Sequence, residues 1–73
     1  MPTRDLDCRQ LNCPMPIVQI ALAIKTLSPG DLLRVSATDP AFKPDLHAWA
    51  GMTGHTIVEF RDGAVQEALV RIS

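Results

Sequence analysis

The chain holds two cysteines, and one of them stands in a setting suited to chemistry. Cys13 lies within Leu11-Asn12-Cys13-Pro14-Met15-Pro16, directly ahead of an apolar stretch with helical spacing. A helix N-terminus carries unpaired backbone N–H groups and the positive end of the helix dipole, so it favours an anion. A thiol placed there is expected to have a lowered pKa and to attack as the thiolate. Pro14 and Pro16 fix the backbone around the sulfur, Asn12 precedes it, and Met15 is expected to be partly exposed beside it. Residue type alone leaves a second reading open, a buried and inert cysteine. Cys8, in the spacing Cys8-x4-Cys13, has two readings as well. It is either a second thiol able to resolve a persulfide or sulfenate on Cys13, or a small apolar residue finishing a strand, and the strand reading is preferred. A zinc or copper centre would require Cys8, Cys13, His47 and His55 to converge, and neither C-x2-C nor H-x3-H spacing occurs. No metal and no cofactor are therefore expected. His47 is placed on the outer side of a helix and His55 just past its end.

The elements that must position Cys13 follow from periodicity and punctuation. Apolar residues at Ile17, Ile20, Ala21, Ile24 and Leu27 mark one face of a helix running from Pro16 to Ser28, stopped by Ser28-Pro29-Gly30-Asp31. Proline is tolerated in its first turn, where the missing N–H has no helical partner. Leu33, Val35 and Ala37 alternate with Arg34, Ser36 and Thr38 as a half-buried strand. A second helix is expected from Pro44, with Leu46, Trp49, Ala50 and Thr53 on one face, Phe42 leading in and Gly54 as its left-handed cap. Thr56, Val58 and Phe60 alternate with Ile57 and Glu59, Asp62-Gly63 turns the chain, and residues 64–72 return with Val70 and Ile72 inward. A short strand through Leu6 precedes Cys8. Phe42 and Trp49 are expected to fill the core.

The predicted fold is α+β, a two-layer α/β sandwich in the order β-α-β-α-β-β. Two helices lie on one face of a mixed four-stranded sheet, with a parallel crossover between the first two strands. The outer face would carry Arg34, Ser36, Thr38, Glu59, Glu67 and Arg71, with Ile57, Val65 and Leu69 among them, and such a face can meet water.

Composition narrows the function. Seventy-three residues make a single domain, 1–73, and 47% hydrophobic with 21% charged residues belongs to a chain that folds. Seven basic against eight acidic residues, scattered along the chain, and three aromatics disfavour direct nucleic-acid binding. No apolar run approaches a membrane span, and the start Met1-Pro2-Thr3-Arg4-Asp5 is unlike a signal peptide, so no membrane and a cytoplasmic setting are expected. Arg4, Arg9 and Lys25 are candidates to flank the thiol and steer an acidic partner.

Cys13-Pro14-Met15-Pro16 resembles the C-P-x-P motif of the TusA/SirA-type sulfur-carrier proteins. Leu6-Asp7 and Leu11 upstream, the Pro29-Gly30-Asp31 turn, Thr38-Asp39-Pro40 and the helix ending at Gly54 extend the resemblance over nearly the whole chain. The resemblance implies a carrier that takes a sulfane sulfur as a persulfide on Cys13 from a cysteine desulfurase or a rhodanese-like donor and passes it to an acceptor protein. Carriers of this type serve transfer-RNA thiolation, molybdenum-cofactor biosynthesis and dissimilatory sulfur oxidation. The sequence departs from the family in one place: Gln10 occupies a position where the family usually has glycine, a residue suited to positive φ. Two other functions stand beside the carrier. One is a non-catalytic regulatory or interaction module using the open sheet face; the other is a thiol-disulfide protein using Cys8 and Cys13.

Overall fold

A computed structural model describes residues 3–73; Met1 and Pro2, the head of the polar start, lie outside the described residues. The elements are β1 (Thr3–Cys8), α1 (Met15–Ala23), a 3-10 turn (Ile24–Thr26), β2 (Leu32–Ala37), α2 (Phe42–Thr53), β3 (Thr56–Arg61) and β4 (Gln66–Arg71). The strands form one sheet in the order β1-β2-β4-β3, with β1 parallel to β2 and the other pairs antiparallel. The α+β sandwich and its element order agree with the pattern read from the sequence.

Alternation decides which side of each strand is buried. Leu33, Val35 and Ala37 of β2 pair in register with Val70, Ala68 and Gln66 of β4, and all six are buried. Ile20 and Ala23 of α1 and Phe42 and Leu46 of α2 close over the same face, so one core lies between helices and sheet. The outer face carries paired charges: Arg34 bridges across strands to Asp5 at 3.6 Å and Glu67 at 3.8 Å, and Arg61 meets Glu59 within β3 at 3.0 Å. Exposed pairs of this kind add little stability and keep the face wet.

Four local expectations are corrected. The first α-helix ends at Ala23, not near Ser28: Ile24–Thr26 tightens to 3-10 geometry while the Thr26 hydroxyl donates to the Ala23 carbonyl at 2.9 Å. The second helix starts at Phe42, two residues before Pro44, because a proline in the first turn removes an N–H that has no helical partner. Its end is as expected, Gly54 at φ 83° donating its N–H to the Ala50 carbonyl. In β3 the register shifts between Ile57 and Glu59, leaving Val58 as an extra residue. The bulge turns both Ile57 and Phe60 onto the core, so Ile57 is not on the outer face. Finally, β4 is shorter than residues 64–72, and its buried Gln66 ties the sheet to the segment before α2.

Candidate functional site

Cys13 occupies the loop from β1 to α1, and carboxylates from the β2–α2 side hold it. Its backbone N–H donates to Asp39 Oδ2 at 2.5 Å, and its thiol donates to Asp45 Oδ2 at 2.6 Å. The Cys13–Pro14 peptide bond is cis. Asp39 is itself anchored on three sides. Its Oδ1 accepts the Ala41 N–H at 3.1 Å, and its carbonyl accepts the Phe42 N–H at 3.0 Å and Gln66 Nε2 at 2.7 Å. Asp45 sits in the first turn of α2, where a negative charge is favoured by the helix dipole. The segment leading into α2 thus supplies the clamp on the Cys13 backbone, and the first turn of α2 supplies the acceptor for its proton.

Upstream, the loop is fixed by its own polar groups. Asp7 takes the Arg9 amide and both arms of the Arg9 guanidinium at 2.9–3.0 Å, which holds its carboxyl down at about 2. The Thr38 hydroxyl donates to the Arg9 carbonyl, and the Leu11 N–H closes a turn onto Cys8 at 3.2 Å. Among the described residues no non-glycine has positive φ, so Gln10 fits this turn without the conformation that a glycine would serve. Arg9 is engaged with Asp7 and Arg4 reaches Thr26; neither has a contact with the thiol.

The sulfur is exposed, as a reactive thiol requires, but its electrostatics run opposite to the sequence expectation. The amides at the start of α1 are already used: Met15 N–H donates to the Asn12 carbonyl, Ile17 and Val18 N–H donate to the Pro14 carbonyl, and Pro16 has none. No helix N–H is left to stabilise a thiolate. Instead, the hydrogen bond to Asp45, desolvation and the negative charges of Asp45 and Asp39 push the Cys13 thiol above its ordinary range. Alkylation of Cys13 followed against pH should therefore show a midpoint above that of a free cysteine. Asp45→Asn should move the midpoint down and speed alkylation several-fold at neutral pH. A wild-type midpoint below the free-cysteine range would contradict this geometry.

The other residues singled out by sequence divide into two groups. Pro14 lines an open groove with Cys13, Pro16 is buried beneath the first turn of α1, and Met15 is partly exposed as expected. Asn12 is exposed and contributes its carbonyl to the turn. Cys8, by contrast, is a fully buried core residue at the end of β1, and burial raises its thiol pKa. Among the described residues no three His, Cys, Asp or Glu side chains gather as metal ligands. His47 is exposed and bonds the Lys43 carbonyl, and His55 stacks on Trp49 at 5.1 Å.

Sequence reasoning missed the groove. It holds about 290 Å3 and is lined by Cys13, Pro14, Ile17, Asp45, Ala48, Trp49 and Met52. Trp49, half-buried, packs against the core as expected and also walls the groove, while Phe42 is fully buried. Met52, 86% exposed, forms its open rim. The helical spacing Asp45, Ala48, Trp49, Met52 was the available signal: it puts one carboxylate and three apolar groups on a single stripe of α2.

Comparison with known proteins agrees with this architecture. The family model described as Sulfurtransferase TusA matches residues 4–72. The chain is 46% identical over 57 residues to the candidate sulfur carrier protein YrkI of Bacillus subtilis (strain 168), covering 78% of this chain and 76% of YrkI. It is 39% identical over 59 residues to the sulfur carrier protein TusA of Pseudomonas aeruginosa, covering 81% and 75% of the two chains. For TusA of Allochromatium vinosum the figures are 37% over 59 residues, with 81% and 78% covered. An exposed cysteine ahead of the first helix of a β-α-β-α-β-β sandwich and a match over residues 4–72 lead to one conclusion: the chain belongs to the TusA sulfurtransferase family.

Proposed function

We propose that residues 1–73 form a single sulfur-carrier domain that accepts a sulfane sulfur as a persulfide on Cys13 and passes it to an acceptor protein. The observation that carries this reading is the exposed Cys13 thiol at the edge of an apolar groove, fixed by Asp39 and Asp45, in a chain whose relatives are named sulfur carriers. Transfer between proteins brings two sulfur atoms into line. It asks for a rigidly mounted, accessible thiol and a surface against which a partner can seat, more than for an enclosed pocket. Pro14 and Pro16 supply the mount; Asn12 and Met15 border it.

The donor is a cysteine desulfurase or a rhodanese-like protein, and the setting is cytoplasmic. No helix of the described chain is long and apolar enough to cross a membrane. The scattered charges and three aromatics leave protein, not nucleic acid, as the partner. A Cys8–Cys13 redox pair is disfavoured because Cys8 is fully buried in the core. Incubation with a cysteine desulfurase and cysteine, or with polysulfide, followed by peptide mass mapping, tests the reading. One reductant-labile sulfur on the peptide carrying Cys13 is expected. A Cys8–Cys13 disulfide as the sole product would replace the carrier with the redox reading, and sulfur confined to Cys8 would remove Cys13 as the carrier site.

A further inference from the structure

Resting on the carrier reading, we propose that Asp45 makes Cys13 a deliberately weak holder of sulfur, setting the loading equilibrium toward the free thiol so that the sulfur is readily passed on.

The geometry that carries this is the thiol-to-carboxylate hydrogen bond of 2.6 Å, made by a side chain fixed in the first turn of α2. Consider loading from a donor persulfide at neutral pH: donor–S–S⁻ plus Cys13–SH gives donor–SH plus Cys13–S–S⁻. The bond from Cys13 Sγ to the transferred sulfur forms, and the donor's S–S bond breaks. The thiol proton ends on the donor sulfur, and the outer sulfur keeps its negative charge. No outside oxidant or reductant is needed, since one persulfide is exchanged for another.

Asp45 acts on both sides of this exchange in the same direction. In the free carrier it accepts a charge-assisted hydrogen bond from the thiol, and such bonds are stronger than neutral ones. In the loaded carrier Sγ has no proton to give, and the persulfide anion faces a carboxylate of like charge. Asp39, bonded to the backbone N–H of the same residue, adds charge of the same sign. The cations closest in sequence are turned elsewhere, Arg9 to Asp7 and Lys43 to Asp62 at 3.0 Å, so neither has a contact that would offset the repulsion. A carrier that bound its sulfur with the help of a cation would keep it; this site is arranged the other way.

The test is an equilibrium one. Wild type, Asp45→Asn, Asp45→Ala, Asp45→Glu and Cys13→Ser are each equilibrated with glutathione persulfide and glutathione at one fixed ratio. The loaded fraction is read by intact mass, with thermal unfolding followed in parallel to confirm that each variant is folded. Asp45→Asn and Asp45→Ala should raise the loading constant roughly fivefold, the difference between a charged and a neutral hydrogen bond. Asp45→Glu, which restores the charge, should return toward wild type. Equal loading of wild type and the two neutral variants would overturn the role of Asp45 and leave the carrier intact. No loading of wild type or of either neutral variant, with the Cys13 thiol still open to alkylation, would overturn the carrier itself.

Discussion

Cys13→Ser should abolish sulfur loading completely, whereas removal of the other thiol should leave loading intact. The serine hydroxyl can replace the thiol as donor to Asp45, and the backbone N–H that binds Asp39 is unaffected, so the loop keeps its shape. What disappears is the atom proposed to bear the sulfur. The comparison variant is best made as Cys8→Ala and not Cys8→Ser. Cys8 is fully buried beside Ala37, Val35 and the other core residues, and an unpaired hydroxyl there would cost about 1–3 kcal/mol. Intact mass after incubation with polysulfide checks the pair: Cys8→Ala should gain one reductant-labile sulfur and Cys13→Ser none. Loading of Cys13→Ser to the wild-type level would show that the exposed thiol is not the carrier site.

Much of this was legible in the sequence, and the parts that were not share a physical cause. Period-2 alternation identified Leu33, Val35 and Ala37 as the inner face of β2, and Gly54 marked the end of α2, because each depends on neighbours in sequence. The bulge at Val58 did not announce itself. Alternation reads the same whether or not one residue is left over between strands, and only the pairing of Ile57 with Val70 and Glu59 with Leu69 reveals the extra residue.

The site divides in the same way. Cys13 and its prolines form a local motif that can be read directly, while Asp45 is 32 positions away and meets the thiol only through the fold. Judging Cys13 from its helix alone gave the wrong electrostatic sign. The amides expected to lower its pKa are occupied by the Asn12 and Pro14 carbonyls, and the groups that do face the sulfur are acidic. A helix N-terminus favours an anion only when its N–H groups remain free to point at it.

Phe42→Ala should remove most of the stability of the domain. Phe42 is the largest fully buried side chain, 1% exposed, and its ring packs against Phe60 with centroids 5.9 Å apart. Truncating a buried phenylalanine to alanine costs about 3–5 kcal/mol, from lost burial and from the cavity left behind. A core of this size supplies no more than about 3–5 kcal/mol of net stability, so the variant should be largely unfolded at 37 °C, as urea unfolding followed by far-UV circular dichroism would show. Phe42→Leu, which refills part of the space, should stay folded with a lowered midpoint. The site is tied to the same side chain. Phe42 is the first residue of α2, its N–H donates to Asp39, and Asp45 lies one turn further on. Loosening that turn frees both carboxylates from Cys13 while the motif around the thiol stays unchanged in sequence. In Phe42→Leu the alkylation midpoint of Cys13 should therefore move down toward that of a free cysteine, in step with the loss of stability. An unchanged midpoint in a clearly destabilised variant would mean that Asp39 and Asp45 hold the thiol independently of how α2 is seated on the core.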